Sequence, residues 1–309
     1  MKAVRTMSKS LSHAKITLRR SAARGHTDLD WLNSYHTFSM GDYYDPAFMS
    51  FGCLRVLNED RVAPKTGFPT HPHRDAEIFS YILSGELTHR DSTVKKGFEN
   101  STSKTNGGGH SAKKRDDFSR LHRNDVQFTT GGSGIAHSEQ NESNAPVHFL
   151  QIWATPWKRG LTPRYHTKTF SEEAKRKGFV PILSPLEAGL RASEEEEEKA
   201  TPTIEGTIPV HADFMMGAGI VGLDKRFRWV VGGEVENGRA AVESKVGRRV
   251  YVHLPMTKNG SAKVRLDGRE GAVLGEGDGA FVQGLRAVDR LSVESIGEAE
   301  AEVIVLDSN

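Results

Sequence analysis

Two short stretches place metal-ligand residue types at alternate positions. The first is Thr70-His71-Pro72-His73-Arg74-Asp75-Ala76-Glu77, and the second is Gly134-Ile135-Ala136-His137-Ser138-Glu139. On a β-strand, alternate side chains point to one face. His71 and His73 therefore share a face, as do His137 and Glu139. If both strands line one interior, three imidazoles and a carboxylate converge, a donor set that suits a divalent transition metal better than calcium or magnesium. An isolated His-x-His is usually a polar loop. The weight here comes from a second pair of the same spacing in sequence that is strand-like and bounded by turns.

The elements that must position these residues read as strands. Short alternating or apolar runs recur between Gly, Pro, Asn and Asp clusters, and 31 glycines punctuate the chain. No long stretch keeps a helical period, so a mostly β sandwich or barrel is expected. The strand over 147–154 is the strongest, and its alternation puts Val147, Phe149, Gln151 and Trp153 on one face. Residues 77–83 and 86–91 read as a hairpin about Gly85. The aromatics of 26–50 read as packing, and His26 and His36 as hydrogen-bonded structural histidines.

Composition narrows the function classes. The 309 residues hold 42 Lys and Arg against 40 Asp and Glu, so no clustered basic footprint for direct nucleic-acid binding is expected. The single cysteine, Cys53, excludes an internal disulfide and reads as a small buried hydrophobe. No apolar run is long enough to span a membrane.

Residues 1–25 are basic and lack acidic residues. They read as a flexible N-terminus leading into a first strand near Ala14–Leu18, in preference to a mitochondrial transit peptide. Residues 26–160 form the expected metal-binding domain, with a disordered, solvated insertion at 93–121. Residues 161–205 read as a linker with a possible short helix, carrying a self-repelling acidic insertion, Glu194 to Glu198. From 206 to 309 the β pattern returns as a second barrel. It has His211 and His253 but no His-x-His, so no second metal site is expected there.

The longest motifs carry a family resemblance. Arg24-Gly25-His26, Ser34-Tyr35-His36-Thr37-Phe38, Leu54-Arg55-Val56-Leu57-Asn58-Glu59-Asp60, Gly67-Phe68-Pro69-Thr70-His71-Pro72-His73 and Gly132-Ser133-Gly134-Ile135-Ala136-His137-Ser138-Glu139 resemble the pirin family of the bicupin superfamily. The likeness runs from about Ile16 to Pro156 and more weakly to the C-terminus. It implies an all-β bicupin fold, two jelly-roll β-barrels with short connecting helices, the first holding one metal. The ligands it implies are His71, His73, His137 and Glu139. The wider cupin pattern instead takes a Glu four residues after His-x-His, here Glu77. With Glu139 completing the pirin set, Glu77 is left an outer-sphere or acid–base role, and either Glu77 or Glu139 is the expected proton acceptor.

Fe²⁺ is the expected ion, with other divalent transition metals also accepted. The implied activity is O₂-dependent cleavage of a flavonol or other enolic substrate, as in quercetin 2,3-dioxygenases. The alternative is an iron-containing, redox-sensing cofactor with a transcription-factor partner. The expectations that go with these readings are a monomer, without membrane association, in the cytoplasm or nucleus.

Overall fold

The computed structural model describes residues 11–93, 118–235, 239–240, 242 and 247–309. Most of the insertion expected at 93–121 lies outside these residues, as does the start of the N-terminal segment. The chain divides into two compact units. One comprises Ala22–Ala174 and Ile182–Met215; the other comprises the N-terminal residues to Ser21, Lys175–Pro181 and Met216–Asn309.

Strand β1 (Lys15–Arg19) belongs to the second unit. The first unit is built on β2 (Gly25–Asp28), β3 (Leu32–His36), β4 (Leu54–Val62), β5 (Thr66–His73), β6 (Glu77–Ser84) and β7 (Glu86–Asp91). These are followed by β8 (Ser119–His122), β9 (Asp125–Thr130), β10 (Ile135–Asn141), β11 (Val147–Ala154) and β12 (Arg164–Thr169). Its strands form a seven-stranded sheet in the order β12-β9-β6-β11-β4-β3-β2 and a four-stranded sheet in the order β5-β10-β7-β8. An apolar cluster of Leu32, Val62, Ile82, Leu87, Leu121, Val147 and Phe149 fills one part of the space enclosed.

Alternation along β11 explains its burial. Phe149, Gln151 and Trp153 lie opposite Ile82, Ser80 and Ile78 of β6, and these side chains share the interior face. The hairpin expected at Gly85 does not form. Strand β6 pairs with β9 and β11, and β7 pairs with β8 and β10, so the chain changes sheets at Ser84-Gly85. Gly85 has φ +81°, and a Cβ there would lie 2.5 Å from the Pro146 carbonyl oxygen. The glycine thus serves a corner between sheets, which a period-2 pattern cannot distinguish from a hairpin turn.

The stretch expected as a linker from 161 onward is also structured. Strand β12 extends the larger sheet along β9, and a short helix, α1 (Glu172–Lys175), follows. Strand β13 (Val180–Pro185) runs parallel to β14 (Ile208–Val210) through Leu183–Pro185. The acidic run is not a loose insertion. It forms helix α2 (Glu194–Lys199), closed by a capping box between Ser193 and Glu196. Glu197 is buried there and pairs with Lys158 at 2.7 Å.

The second unit continues through β15 (Phe214–Val221), β16 (Arg226–Val230), β17 (Glu234–Val235), β18 (Arg239–Ala240), β19 (Arg248–His253) and β20 (Lys263–Leu266). It ends with β21 (Val273–Gly275), β22 (Gly279–Leu285), β23 (Arg290–Ser295) and β24 (Ala301–Ser308). Strands β1, β22, β19 and β24 are consecutive neighbours in one sheet, and β16-β23-β20-β21 make another. The first strand, expected near Ala14–Leu18, is Lys15–Arg19, and it pairs antiparallel with Gly279–Gln283 of β22. The fold is thus all-β cupin, as the resemblance implied.

Candidate metal centre

Strand β5 is the edge of its sheet, which is why it tolerates Pro69 and Pro72. It pairs antiparallel with β10, setting His71 opposite His137 and His73 opposite Ile135. Pro72 is exposed between His71 and His73, which both turn toward His137. The register shifts after His137, so that Glu139 faces Phe68 and β5 carries one extra residue at Pro69-Thr70. Such a bulge re-aims side chains. Here it accompanies a hydrogen bond from His71 Nδ1 to the Pro69 carbonyl at 2.7 Å.

The three rings converge. Their centroids are 4.6–4.7 Å apart, and each offers a nitrogen within 4.8 Å of the others. His71 Nε2 and His137 Nε2 are 3.2 Å apart. Because His71 Nδ1 donates to a carbonyl, its Nε2 carries the lone pair. Burial, reinforced by the neighbouring histidines, lowers His73 and His137 to about 4. Both rings are therefore neutral at physiological pH, the form that binds a metal. Trp153 packs edge-on against His73 with centroids 4.9 Å apart and walls the site on one side.

Glu139 is buried on the same strand as His137, and both its oxygens are engaged. Ser80 Oγ donates to Oε1 at 2.7 Å, and Gln151 Nε2 donates to Oε2 at 2.6 Å. Burial raises its carboxyl above the usual range, while these two donors and His71 oppose that shift. Beyond it lies Asp60, raised to about 7 by burial and held by Ser34 Oγ.

Glu77 is not brought to this cluster. Its Oε2 accepts from Thr130 Oγ1 at 3.2 Å and from the His211 backbone N–H at 3.4 Å, and His211 Nδ1 lies 3.6 Å from Oε1. The four-residue spacing from His73 does not fix the direction of Glu77, because His73 ends β5 and Glu77 begins β6. The parity that decides is with Ser80 on its own strand, and three residues separate them. This removes the geometric ground for an acid–base role for Glu77. His36 is structural as expected, with Nδ1 2.9 Å from Asn58 Oδ1 and Nε2 2.9 Å from Thr27 Oγ1. Cys53 is half-buried, with Sγ 3.5 Å from the Asp213 carbonyl.

His89 and Asp91 went unread. They lie on β7, which pairs with β10 so that Asp91 is opposite His137 and His89 opposite Glu139. His89 Nε2 is 3.0 Å from His137 Nδ1. The signal was in the sequence: His89-Arg90-Asp91 is a third ligand-type pair at alternate positions.

The residues fit a divalent transition metal. Three imidazoles converge, a buried carboxylate lies on the strand of His137, and two of the rings sit on a half-exposed edge strand. Among the described residues no helix is long and apolar enough to cross a membrane.

Comparisons with known proteins agree with this architecture. The pirin family profile matches residues 17–104, a span that contains His71 and His73 and ends before His137. A Zymomonas mobilis protein named as a candidate quercetin 2,3-dioxygenase is 31% identical over 281 residues, covering 91% of this chain and 94% of its own. The quercetin 2,3-dioxygenase of Escherichia coli O157:H7 is 28% identical over 293 residues, covering 94% of this chain and 98% of its own. The solved structure of bacterial pirin YhhW from Escherichia coli, in complex with nickel(II), matches with a TM-score of 0.67 at 27% identity. That match covers 95% of this chain and 99% of YhhW.

Proposed function

The chain belongs to the pirin family, and on that premise we propose that it is a metal-dependent dioxygenase of the quercetin 2,3-dioxygenase type. Its substrate class is a flavonol or another enolic small molecule, and its ion is Fe²⁺. The observation that carries this reading is the convergence of His71, His73 and His137 at a half-exposed edge strand. Three protein nitrogens at an accessible rim leave room for a small molecule, whereas structural metal sites are normally closed.

In this reading His71, His73 and His137 hold the ion, with Glu139 as the fourth ligand. A bound redox-active ion supplies the means to bring an enolate and O₂ together, and both oxygen atoms enter the products as carbon monoxide is released. Each protein group then has a definite task. The Pro69 carbonyl keeps the His71 proton on Nδ1. Ser80 and Gln151 fix the orientation of the Glu139 carboxylate. Glu139 is also the carboxylate placed to accept the substrate hydroxyl proton, a weaker base while it binds the ion. Trp153 supplies the apolar side of the enclosure.

The test is anaerobic loading with Fe²⁺, followed by O₂ consumption with quercetin and with a panel of enolic compounds. Turnover that disappears in His71→Ala supports the enzyme. A tightly held ion with no O₂ consumption across the panel sinks it, and leaves a redox-responsive binding protein as the reading to pursue.

A further inference from the structure

We propose that His89 is a positioning residue for the metal centre, accepting the His137 Nδ1–H and so directing the His137 Nε2 lone pair toward His71 and His73. The proposal rests on the metal centre described above and is independent of its substrate. His89 Nε2 and His137 Nδ1 are 3.0 Å apart, so one proton lies between them. A neutral imidazole has one donor nitrogen and one acceptor. If His89 donates, the proton of His137 sits on Nε2, 3.2 Å from His71 Nε2, and that nitrogen has no lone pair for an ion. If His137 donates, Nε2 is free. A metal-competent His137 therefore requires an acceptor at the position of His89 Nε2.

His71 meets the same need locally, through the carbonyl of Pro69. The Nδ1 of His137 instead meets His89 on β7, the strand that flanks β10 on the side away from β5. His89 is fully buried, stacks on Tyr165 with ring centroids 5.4 Å apart, and lies opposite Glu139 in the β7–β10 register. Its Nδ1 has no hydrogen-bond partner among the described residues, so no other group dictates which of its nitrogens carries the proton. Outer partners of metal-bound histidines fix the tautomer and raise ligand basicity in this way.

A rival arrangement is a second ion held by His89, Asp91 and His137, whose ligand atoms also lie within 4.8 Å of one another. The hydrogen bonds at Asp91 speak against it. Oδ1 accepts from the backbone N–H and hydroxyl of Thr93, at 2.8 and 2.6 Å, and Oδ2 accepts from Thr129 Oγ1 at 3.2 Å.

The experiment measures nickel(II) affinity and stoichiometry by chelator competition in wild type, His89→Phe and His89→Gln. The full chain is used, with no substrate or oxygen present. Phe keeps the stacking surface and removes the acceptor, whereas Gln keeps an acceptor oxygen. The expected result is one equivalent in wild type, affinity about 10- to 100-fold weaker in His89→Phe, and affinity within about threefold of wild type in His89→Gln. Equal affinity in His89→Phe and wild type overturns the proposal. So does equal loss in both variants, or a second equivalent that disappears in His89→Phe. In wild-type protein loaded with zinc(II), ¹⁵N NMR of the histidine rings should place the His137 proton on Nδ1. A proton on Nε2 overturns the proposal even if neither variant folds. Because only metal binding is read, absence of oxygenase activity leaves this test intact.

Discussion

Glu77 and Ser80, three residues apart on β6, address opposite faces of the sheet. Ser80 Oγ donates to Glu139 Oε1 at 2.7 Å, whereas Glu77 Oε2 accepts from Thr130 Oγ1 at 3.2 Å. Both side chains are fully buried, and the ladder between them is regular on both sides. Glu77→Gln is therefore expected to leave nickel stoichiometry and affinity at the wild-type value. It should also leave any O₂-dependent turnover within about twofold, since the partners of Glu77 are Thr130 and His211, neither of which is a candidate ligand or a donor to Glu139. A variant that folds normally but loses turnover would restore Glu77 to the reaction.

The two donors to Glu139 are the more sensitive positions. Removing either one leaves a buried carboxylate oxygen short of a partner, which costs about 1–3 kcal/mol. Ser80→Ala and Gln151→Leu should each weaken nickel binding roughly 10-fold or more, in the range seen when outer partners of ligands are lost. Chelator competition reads this directly. If both variants bind as tightly as wild type, Glu139 does not depend on these bonds, and its place as the fourth ligand is in question.

Asp60 gives a pH signature. Burial raises its carboxyl to about 7 from the usual 3.8. A folded-state value above the unfolded one means that the folded chain holds the proton more tightly, so stability from this group falls as pH rises from about 4 through 7. Asp60→Asn removes that dependence while keeping an oxygen that can accept from Ser34. The melting temperature of Asp60→Asn relative to wild type should therefore climb between pH 4 and pH 8. The full difference corresponds to a few kcal/mol at about 1.4 kcal/mol per unit. A difference that is flat across that range would mean that Asp60 ionises freely.

Gly67 sets how closely β5 approaches Glu139. A Cβ at Gly67 would lie 2.3 Å from the Glu139 carbonyl oxygen and 2.7 Å from the Gln140 Cα, both backbone atoms. Neither can move without shifting β10. Gly67→Ala is expected to cost about 1–3 kcal/mol in denaturant unfolding, the usual scale for overpacking. It should also weaken metal binding, because His137 and Glu139 ride on the displaced strand. Wild-type unfolding and wild-type affinity together would show that the bulge relaxes without disturbing the ligands.

Which side chains could serve a metal, and on which strands, follows from local spacing. His71 with His73, and His137 with Glu139, share faces because the strand period is two residues, a property local to each segment. The interior face of β11 was legible for the same reason, and so was the all-β class. The folded chain sets everything that depends on one strand's register against another. It placed His71 opposite His137, shifted Glu139 to face Phe68 through a bulge, set Ser80 and Gln151 on Glu139, and turned Glu77 to the far face. It also brought His89 within hydrogen-bond distance of His137 and paired β1 with β22, more than 250 residues away in sequence. Periodicity fixes the direction of a side chain within its own strand. The neighbour it meets is chosen by sheet order and register, through long-range packing that no local pattern encodes.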